Sequence, residues 1–182
     1  MVADIAKILY HETDILTRLD MMAAEITRDY RGKALTVVAI LNGSFVFMAD
    51  LLRKIPMELQ VESLRLASYQ GTQSCGQIHF PQDWTADLKG RHVLILDDIL
   101  DSGLTLHAVK ERLGEGAGAA SLRTCVLLRK NVQRVRSIEA DYVGFDIPDE
   151  FVVVYGLDYN ERFRNLPFIG VLTDEAIKRD AR

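Results

Sequence analysis

The sequence predicts an α/β fold, in which a mainly parallel, twisted sheet is flanked by helices. Short apolar, β-branched runs at 35–41 and 93–96 have the continuous hydrophobicity of strands that are covered on both faces. Segments with helical spacing of apolar residues follow such runs, and this alternation of strands and helices is typical of a parallel sheet. Small and polar turn residues, such as Asn42-Gly43-Ser44, separate the elements.

The first half of the chain contains one clear predicted strand between two predicted helices. Apolar side chains recur at helical spacing over about residues 13–30, which predicts an amphipathic helix. The strand at 35–41 follows, and residues 45–55 are predicted to form a helix that stops before a proline. We expect residues 57–67 to be extended and the small, polar residues 68–77 to form a mobile loop.

The second half supplies the remaining predicted strands. The strand at 93–96 leads through an acidic segment into a helix that ends near residue 113. Apolar runs predict further strands at 122–128, 142–145 and 151–157.

We interpret residues 1–182 as a single domain. The core of the domain is expected over about residues 33–140. The N-terminal segment, about 1–30, and the C-terminal segment, 141–182, are expected to form a small hood lobe at one end of the sheet.

Composition excludes several classes of protein. Of the 182 residues, 48% are hydrophobic, which is too many for a disordered chain, yet no apolar run approaches the ~20 residues of a membrane span. Twenty-two Lys and Arg against 26 Asp and Glu give a net charge of −4, so we expect no binding to nucleic acid or membranes. Cys75 and Cys125 cannot build a disulfide framework, and the N-terminal segment lacks a secretory pattern, so we expect a cytoplasmic protein.

The acidic segment after the strand at 93–96 is the most informative part of the sequence. Asp97, Asp98 and Asp101 lie where a parallel sheet binds its ligands, outside the carboxyl end of a strand. Residues Ser102–Thr105 follow as a helix begins, so backbone N–H groups and hydroxyls can converge there on an anion. Acceptors for sugar hydroxyls or a metal ion, placed beside donors for a phosphate, are the combination that a sugar phosphate requires.

Two other structures would account for an acidic segment at this place. An isolated pair of aspartates after a strand is most often a solvated turn or a helix cap, but three within five residues beside a glycine turn favour a functional site. A phospho-acceptor receiver domain also holds Mg²⁺ with paired aspartates, usually at its first strand, whereas this pair comes only at Asp97 and Asp98.

The segment 93–105 (VLILDDILDSGLT) resembles the phosphoribosyl pyrophosphate (PRPP) signature of the type I phosphoribosyltransferase family. Four other segments narrow the resemblance to the bacterial-type hypoxanthine-guanine phosphoribosyltransferases. They are LNGSFVF at 41–47, SYQGTQSCG at 68–76, VLLRK at 126–130 and YVGFDIPDEFVVVYGLDYNERFRNLP at 142–167. The resemblance covers about residues 5–173, nearly the whole chain.

The resemblance implies a purine-salvage enzyme that transfers the 5-phosphoribosyl group of PRPP to N9 of hypoxanthine or guanine. IMP or GMP and pyrophosphate are the products, Mg²⁺ is the cofactor, and a homodimer or homotetramer is the expected assembly. Two alternatives remain open. One is a xanthine-preferring enzyme, and the other is a regulatory protein on the same fold that binds PRPP or a nucleotide.

The resemblance also assigns roles to the residues around the acidic segment. Asp97 and Asp98 would hold the ribose hydroxyls and favour the positive charge that develops on the sugar. Asp101 would be the general base at purine N7. The 5′-phosphate would be bound by the helix-starting turn of Ser102, Gly103, Leu104 and Thr105.

The base would be bound by residues that follow later strands. Lys130 would hydrogen-bond purine O6 and approach N7, and Phe151 would stack on the ring. Val152 would offer backbone groups to the edge of the base, and Asp158 would lie near the purine and a Mg²⁺ ion. Asp97 and Asp98 are further candidate metal ligands.

Pyrophosphate would be bound by Leu41, Asn42, Gly43 and Arg164, and the family often has a cis peptide at the bond that corresponds to Leu41–Asn42. Ser68 and Tyr69 would belong to a lid that closes over the reacting centre.

The chain departs from the pattern of its relatives at four positions. Asp97 replaces the usual Glu, and Asn42 replaces a frequent Lys. Arg129 replaces the Asp that usually precedes the purine-binding lysine, and Val154 stands where relatives often have Gly.

Overall fold

Five parallel strands form the central sheet of the computed structural model, which describes residues 2–68, 78–80, 87–114, 117–153 and 155–180. After a 3₁₀ turn at Val2–Asp4, the elements in chain order are β1 (Ile5–Tyr10), α1 (Glu12–Asp29), β2 (Leu35–Leu41), α2 (Phe45–Leu52), β3 (Leu59–Arg65), β4 (Ala67–Ser68), β5 (Ile78–His79), β6 (His92–Leu100), α3 (Leu104–Gly114), β7 (Ser121–Lys130), β8 (Tyr142–Ile147), β9 (Val152–Val153), β10 (Ile169–Leu172) and α4 (Asp174–Asp180).

The central sheet has the strand order β3-β2-β6-β7-β8, and every neighbouring pair is parallel. Helices cover both of its faces, and a small antiparallel sheet lies beside it. The predicted fold class, a mainly parallel sheet flanked by helices with a hood from the terminal segments, is confirmed.

Alternate residues of β6 pack against different helices. Leu94 and Leu96 belong to the cluster that contains the buried sides of α1 and α2, whereas Val93 and Ile95 pack with α3. All four side chains are fully buried. A strand with helices on both faces needs apolar residues at every position, which explains the uninterrupted run in the sequence.

The register of the sheet brings the carboxyl ends of its strands to one edge. Ala39 of β2 pairs with Leu96 of β6, which pairs with Cys125 of β7. Both β6 and β7 run further than predicted. Asp97 and Asp98 therefore lie within β6, and Lys130 is the last residue of β7.

A second, antiparallel sheet joins the two ends of the chain in the order β1-β10-β9. The sequence pattern predicted neither β1, which is largely exposed, nor β10, which has only 4 residues. The strand predicted at 151–157 is reduced to β9, because Tyr155 has a φ of 55° and Gly156 a φ of 100°. Positive φ values are incompatible with an extended strand.

The division into core and hood differs from the expected one. The helix α1 is expected in the hood, but its apolar face packs in the same cluster as the central strands. The strand β8 also joins the central sheet. The hood consists of β1, β9, β10 and α4, which share a small cluster around Val153 and Leu172. In the described ranges, no helix has the length and apolarity that crossing a bilayer requires.

Candidate active site

Three adjoining cavities open at the carboxyl edge of the central sheet, and Asp98 lines all of them. The turn cavity, of about 170 Å³, lies against the segment Asp97–Leu106. The Lys130 cavity, of about 240 Å³, lies between Asp101, Lys130 and Phe151. The wide cavity, of about 750 Å³, is lined by Asp98 and by residues from several other parts of the chain.

The β6–α3 turn, which we define as Asp97–Thr105, contains two neighbouring carboxyl groups, of which that of Asp97 is buried and that of Asp98 is half-buried. The amide of Asp98 donates to Oδ1 of Asp97 at 3.1 Å, and the amide of Ile99 donates to Oδ1 of Asp98 at 2.8 Å. Burial and the charge of Asp98 hold the pKa of Asp97 well above its usual range, and burial raises the pKa of Asp98. Two neighbouring carboxyls in such a place favour a positively charged partner.

Gly103 allows the β6–α3 turn to reverse direction under a neighbouring loop. Its φ is 79°, and a Cβ atom at this residue would lie 2.9 Å from the carbonyl oxygen of Arg136. The carbonyl of Ser102 accepts hydrogen bonds from the amides of Val135 and Arg136, at 3.0 and 3.2 Å. The loop therefore fixes the turn from outside, while Ser102, Gly103 and Thr105 line the turn cavity.

Lys130 connects the β6–α3 turn to Asp149. Its Nζ lies 3.0 Å from Oδ2 of Asp101 and 3.3 Å from Oδ1 of Asp149. Val152 and Phe151 also line the Lys130 cavity, and Phe151 is exposed. This cavity combines a flat aromatic surface with a cation and a carboxylate, which suits a planar heterocycle.

Two segments from distant parts of the chain line the wide cavity. One is the β2–α2 turn, which we define as Leu41–Ser44, and the other is the C-terminal wall, which we define as Phe151–Arg164. The Leu41–Asn42 peptide bond is cis, as the family resemblance implies.

Arg164 of the C-terminal wall is held by three oxygen acceptors. Its Nη2 lies 2.7 Å from Oδ1 of Asp158 and 3.0 Å from Oε2 of Glu161. Its Nη1 donates to the carbonyl of Gly156 at 2.8 Å. The guanidinium therefore enters the wide cavity in a fixed orientation, ready for an anion.

Most of the predicted site residues line these three cavities. They are Leu41, Asn42, Gly43, Asp97, Asp98, Asp101, Ser102, Gly103, Thr105, Lys130, Phe151, Val152, Asp158 and Arg164. Leu104, the first residue of α3, is absent from the linings. Ser68 ends β4, where it pairs with Ile78 of β5. Tyr69, and with it most of the expected lid, lies outside the described residues.

A second arginine, Arg65, lines the wide cavity; from its place just before the predicted mobile loop it is expected to support the closed lid or a subunit contact, and not to line this cavity. Arg65 ends β3 and lines the cavity, because β3 pairs in parallel with β2 and Arg65 lies opposite Leu41. The sequence carried a signal for it, since the last residue of any neighbouring parallel strand reaches the same edge. Asp149 was missed as a partner of Lys130 for lack of any local pattern.

Arg129, one of the departures from the family pattern, is bound by carboxylates. Its Nε and Nη2 lie 2.6 and 3.0 Å from the two carboxyl oxygens of Asp146, and Nη1 lies 3.4 Å from Glu139. Asn42 lines the wide cavity, and Val154 lies outside the described residues.

The sequence of this chain is similar to the sequences of known proteins. A profile of the phosphoribosyl transferase domain matches residues 6–160. A hypoxanthine-guanine phosphoribosyltransferase from Streptococcus pneumoniae is 46% identical over 173 residues, which are 94% of this chain and 96% of that protein. A protein of the same name from Staphylococcus aureus is 43% identical over the same shares of the two chains.

Solved structures lead to the same family. A crystal structure of a hypoxanthine phosphoribosyltransferase from Staphylococcus aureus superposes with a TM-score of 0.91 at 42% identity, over 97% of this chain and 96% of that one. A hypoxanthine phosphoribosyl transferase from Trypanosoma cruzi gives a TM-score of 0.90 at 36% identity, over 98% and 97% of the two chains. The present chain therefore belongs to the phosphoribosyltransferase family, in its hypoxanthine-guanine branch.

Proposed function

We propose that this protein is a purine-salvage enzyme that transfers the 5-phosphoribosyl group of PRPP to N9 of hypoxanthine and guanine, forming IMP or GMP and pyrophosphate. The observation that carries the proposal is the position of Asp98, which borders three cavities of different chemistry. A phosphate, a planar base and a pyrophosphate can be bound there around one ribose. The names of the relatives support the same reaction.

The ribose is bound above Asp97 and Asp98. As the bond from C1′ to pyrophosphate breaks, the sugar becomes cation-like. The neighbouring carboxyl groups of Asp97 and Asp98 favour this charge, and they are already in place before it develops. Meanwhile the β6–α3 turn holds the 5′-phosphate with the backbone and hydroxyls of Ser102–Thr105.

The base is bound in the Lys130 cavity, with Phe151 stacked on its ring. Lys130 donates to purine O6, and Asp101 takes the proton from N7 as N9 bonds to C1′. The 3.0 Å contact between Lys130 and Asp101 places the donor and the acceptor side by side, which suits O6 and N7 on one edge of the base. Val152 and Asp158 also line this cavity.

Pyrophosphate leaves into the wide cavity, towards Arg164 and the backbone of the β2–α2 turn. Because Asn42 carries no charge, binding on that side depends on backbone amides and on the arginines. Arg65 adds a second cation that the family signature did not indicate.

Mg²⁺ is the proposed cofactor, and the donor set fits this ion. Asp97, Asp98 and Asp158 offer hard carboxylate oxygens at the cavities. Across the ranges that the structure describes, no three metal-ligating side chains form a cluster. Mg²⁺ commonly takes one or two carboxylates and fills its other positions with water and substrate phosphates, so this sparse set suits it. When bound, the ion neutralises charge on the leaving pyrophosphate.

A spectrophotometric assay tests the proposal. The enzyme is supplied with PRPP, Mg²⁺ and each of hypoxanthine, guanine, xanthine, adenine and uracil in turn. We expect transfer to hypoxanthine and guanine. A preference for xanthine would change the assignment of the base only, whereas transfer to none of the five bases would overturn the proposed activity.

We also propose a homodimer or homotetramer in the cytoplasm, as the family resemblance implies. Val61, on the edge strand β3, is 47% exposed and is an apolar residue that a second subunit could cover. Sedimentation measures the assembly, and fractionation of cells tests the compartment.

A further inference from the structure

Two walls of the wide cavity come from distant parts of the chain and touch at two glycines. A Cβ atom on Gly156 would lie 2.3 Å from the carbonyl oxygen of Gly43, so the two backbones are in direct contact. Gly43 is also in close contact with Asp98, since a Cβ atom on Gly43 would lie 1.7 Å from Oδ2 of Asp98. Any shift at this contact therefore changes the place of the β2–α2 turn relative to Asp98.

The residue before this contact, Tyr155, is anchored to the opposite wall. Its side chain is buried, and its hydroxyl donates to Oδ2 of Asp50 at 2.6 Å. Asp50 lies on α2, the helix that begins directly after the β2–α2 turn. Burial and the neighbouring Asp50 raise the pKa of Tyr155, so the phenol keeps its proton and remains the donor.

Tyr155 is also connected to the arginine of the wide cavity. Its amide donates to the carbonyl of Leu166 at 3.0 Å, and the amide of Gly156 donates to the carbonyl of Arg164 at 2.9 Å. The guanidinium of Arg164 in turn donates a hydrogen bond to the carbonyl of Gly156. Because Tyr155 has a φ of 55°, which is unfavourable for a residue with a side chain, this conformation depends on contacts made elsewhere.

We propose that Tyr155 and Asp50 are a pair of positioning residues, which hold the β2–α2 turn and Arg164 at the separation that pyrophosphate requires. Neither side chain is among those that line the wide cavity. The pair acts through Gly43, Gly156 and Arg164. This inference rests on the proposed function, because its ligand is the pyrophosphoryl group of PRPP.

Three variants test the pair. Tyr155→Phe removes one hydroxyl, Asp50→Ala removes the acceptor, and Asp50→Asn keeps an acceptor oxygen. We expect the first two to raise the KM for PRPP and, in the reverse reaction, for pyrophosphate by about tenfold, or about 1.4 kcal/mol. The KM for the base stays nearly constant, and the double variant is no worse than the single ones. Asp50→Asn restores most of the affinity.

Tyr142→Phe is a matched control. Tyr142 is as buried as Tyr155, and its hydroxyl donates to Oδ2 of Asp29 at 2.9 Å, away from the three cavities. We expect this variant to lower the melting temperature without changing any KM.

An unchanged KM for pyrophosphate in Tyr155→Phe would overturn the proposed positioning role of the pair. An equal rise of this KM in Tyr142→Phe would do the same. Either result would leave the proposed reaction intact. A wild-type protein that transfers phosphoribose to no base would instead overturn the proposed function.

Discussion

The β6–α3 turn and the C-terminal wall border the same cavities, but they are built in different ways. The turn is one contiguous segment that follows a buried strand, and its carboxylates, glycine and hydroxyls are close in sequence. The wall has a strand of only 2 residues, and Tyr155, Asn160, Glu161 and Phe163 all have positive φ. The turn therefore depends on local sequence, whereas the wall depends on contacts with distant segments.

The two regions also carry different kinds of unfavourable free energy. In the turn it is electrostatic, since two neighbouring carboxyl groups are withdrawn from water, Asp97 fully and Asp98 in part. In the wall it is conformational, because a left-handed residue with a side chain costs about 1–2 kcal/mol. Positive charge on the ligand compensates the electrostatic cost in the turn. Packing against the rest of the fold must compensate the conformational cost in the wall.

The largest effect is expected for Asp101→Ala, which removes the proposed base from the contiguous turn. Turnover should fall by about 10²–10⁴-fold, the usual contribution of a general base. PRPP binding should remain nearly intact, because the ribose carboxylates and the phosphate turn are unchanged. Initial rates and calorimetric titration with PRPP measure the two quantities.

Asp149→Ala is the control for this variant, since Asp149 contacts the same Lys130 amine but has no assigned role in proton transfer. It should retain turnover. Loss of PRPP affinity at unchanged turnover in Asp101→Ala would assign Asp101 to binding and not to catalysis.

The next largest effect is expected for Lys130→Ala, which removes the amine that contacts Asp101 of the β6–α3 turn and lines the cavity beside Phe151 of the C-terminal wall. A hydrogen bond to a charged group contributes about 1.5–3 kcal/mol, so the KM for the base should rise by roughly 10- to 150-fold. Arg129→Ala removes the neighbouring cation, which is bound to Asp146 and Glu139, and should leave this KM unchanged. Steady-state kinetics with varied base distinguish the two, and equal effects would remove Lys130 from the site.

The contrast between the regions explains what the sequence could predict. The residues of the β6–α3 turn were identified because each lies in one local pattern, a buried strand followed by a glycine turn. Lys130, Phe151 and Arg164 were found only through the family resemblance, since a lone cation or aromatic residue in a strand has no local signature.

The missed features depend on long-range geometry. Arg65 reaches the site through the parallel register of β3 with β2, which no local pattern shows. The strand β1 is mostly exposed and forms only because β10 pairs with it. The predicted strand at 151–157 failed at Tyr155, which has a left-handed conformation and whose hydroxyl donates to Asp50 on α2.

Gly43→Ala tests the point where the two regions meet. The new methyl group would overlap Oδ2 of Asp98, so the β2–α2 turn or the carboxylate must move. Overpacking of this kind costs about 1–3 kcal/mol, and we expect lower stability together with weaker PRPP binding. Gly114→Ala is the control, because a Cβ atom there meets nothing within 4 Å. Urea unfolding and calorimetry measure both variants, and unaltered PRPP affinity in Gly43→Ala would contradict the close approach.

The smallest effect is expected for Asp97→Asn, which removes the electrostatic cost of the turn. Since the pKa of Asp97 is raised in the folded protein, the folded state binds this proton more tightly than the unfolded chain does. The stabilisation that Asp97 contributes is fully present below about pH 4. It is lost as the pH rises through the pKa that Asp97 has in the folded protein. An asparagine has no such loss, so the unliganded variant should be more stable than the wild type at neutral pH, by on the order of 1 kcal/mol.

Urea unfolding over a pH series checks this sign, and the stability difference should close towards pH 4. Asp29→Asn provides the opposite case, because a hydrogen bond from Tyr142 lowers the pKa of Asp29. Its wild-type stability is present above the usual carboxyl pKa and is lost as the pH falls, so the asparagine variant should be less stable at neutral pH. If Asp97→Asn were also less stable there, its carboxylate would be stabilising the fold. The contiguous turn would then resemble the C-terminal wall, with its cost already compensated by the protein before any ligand binds.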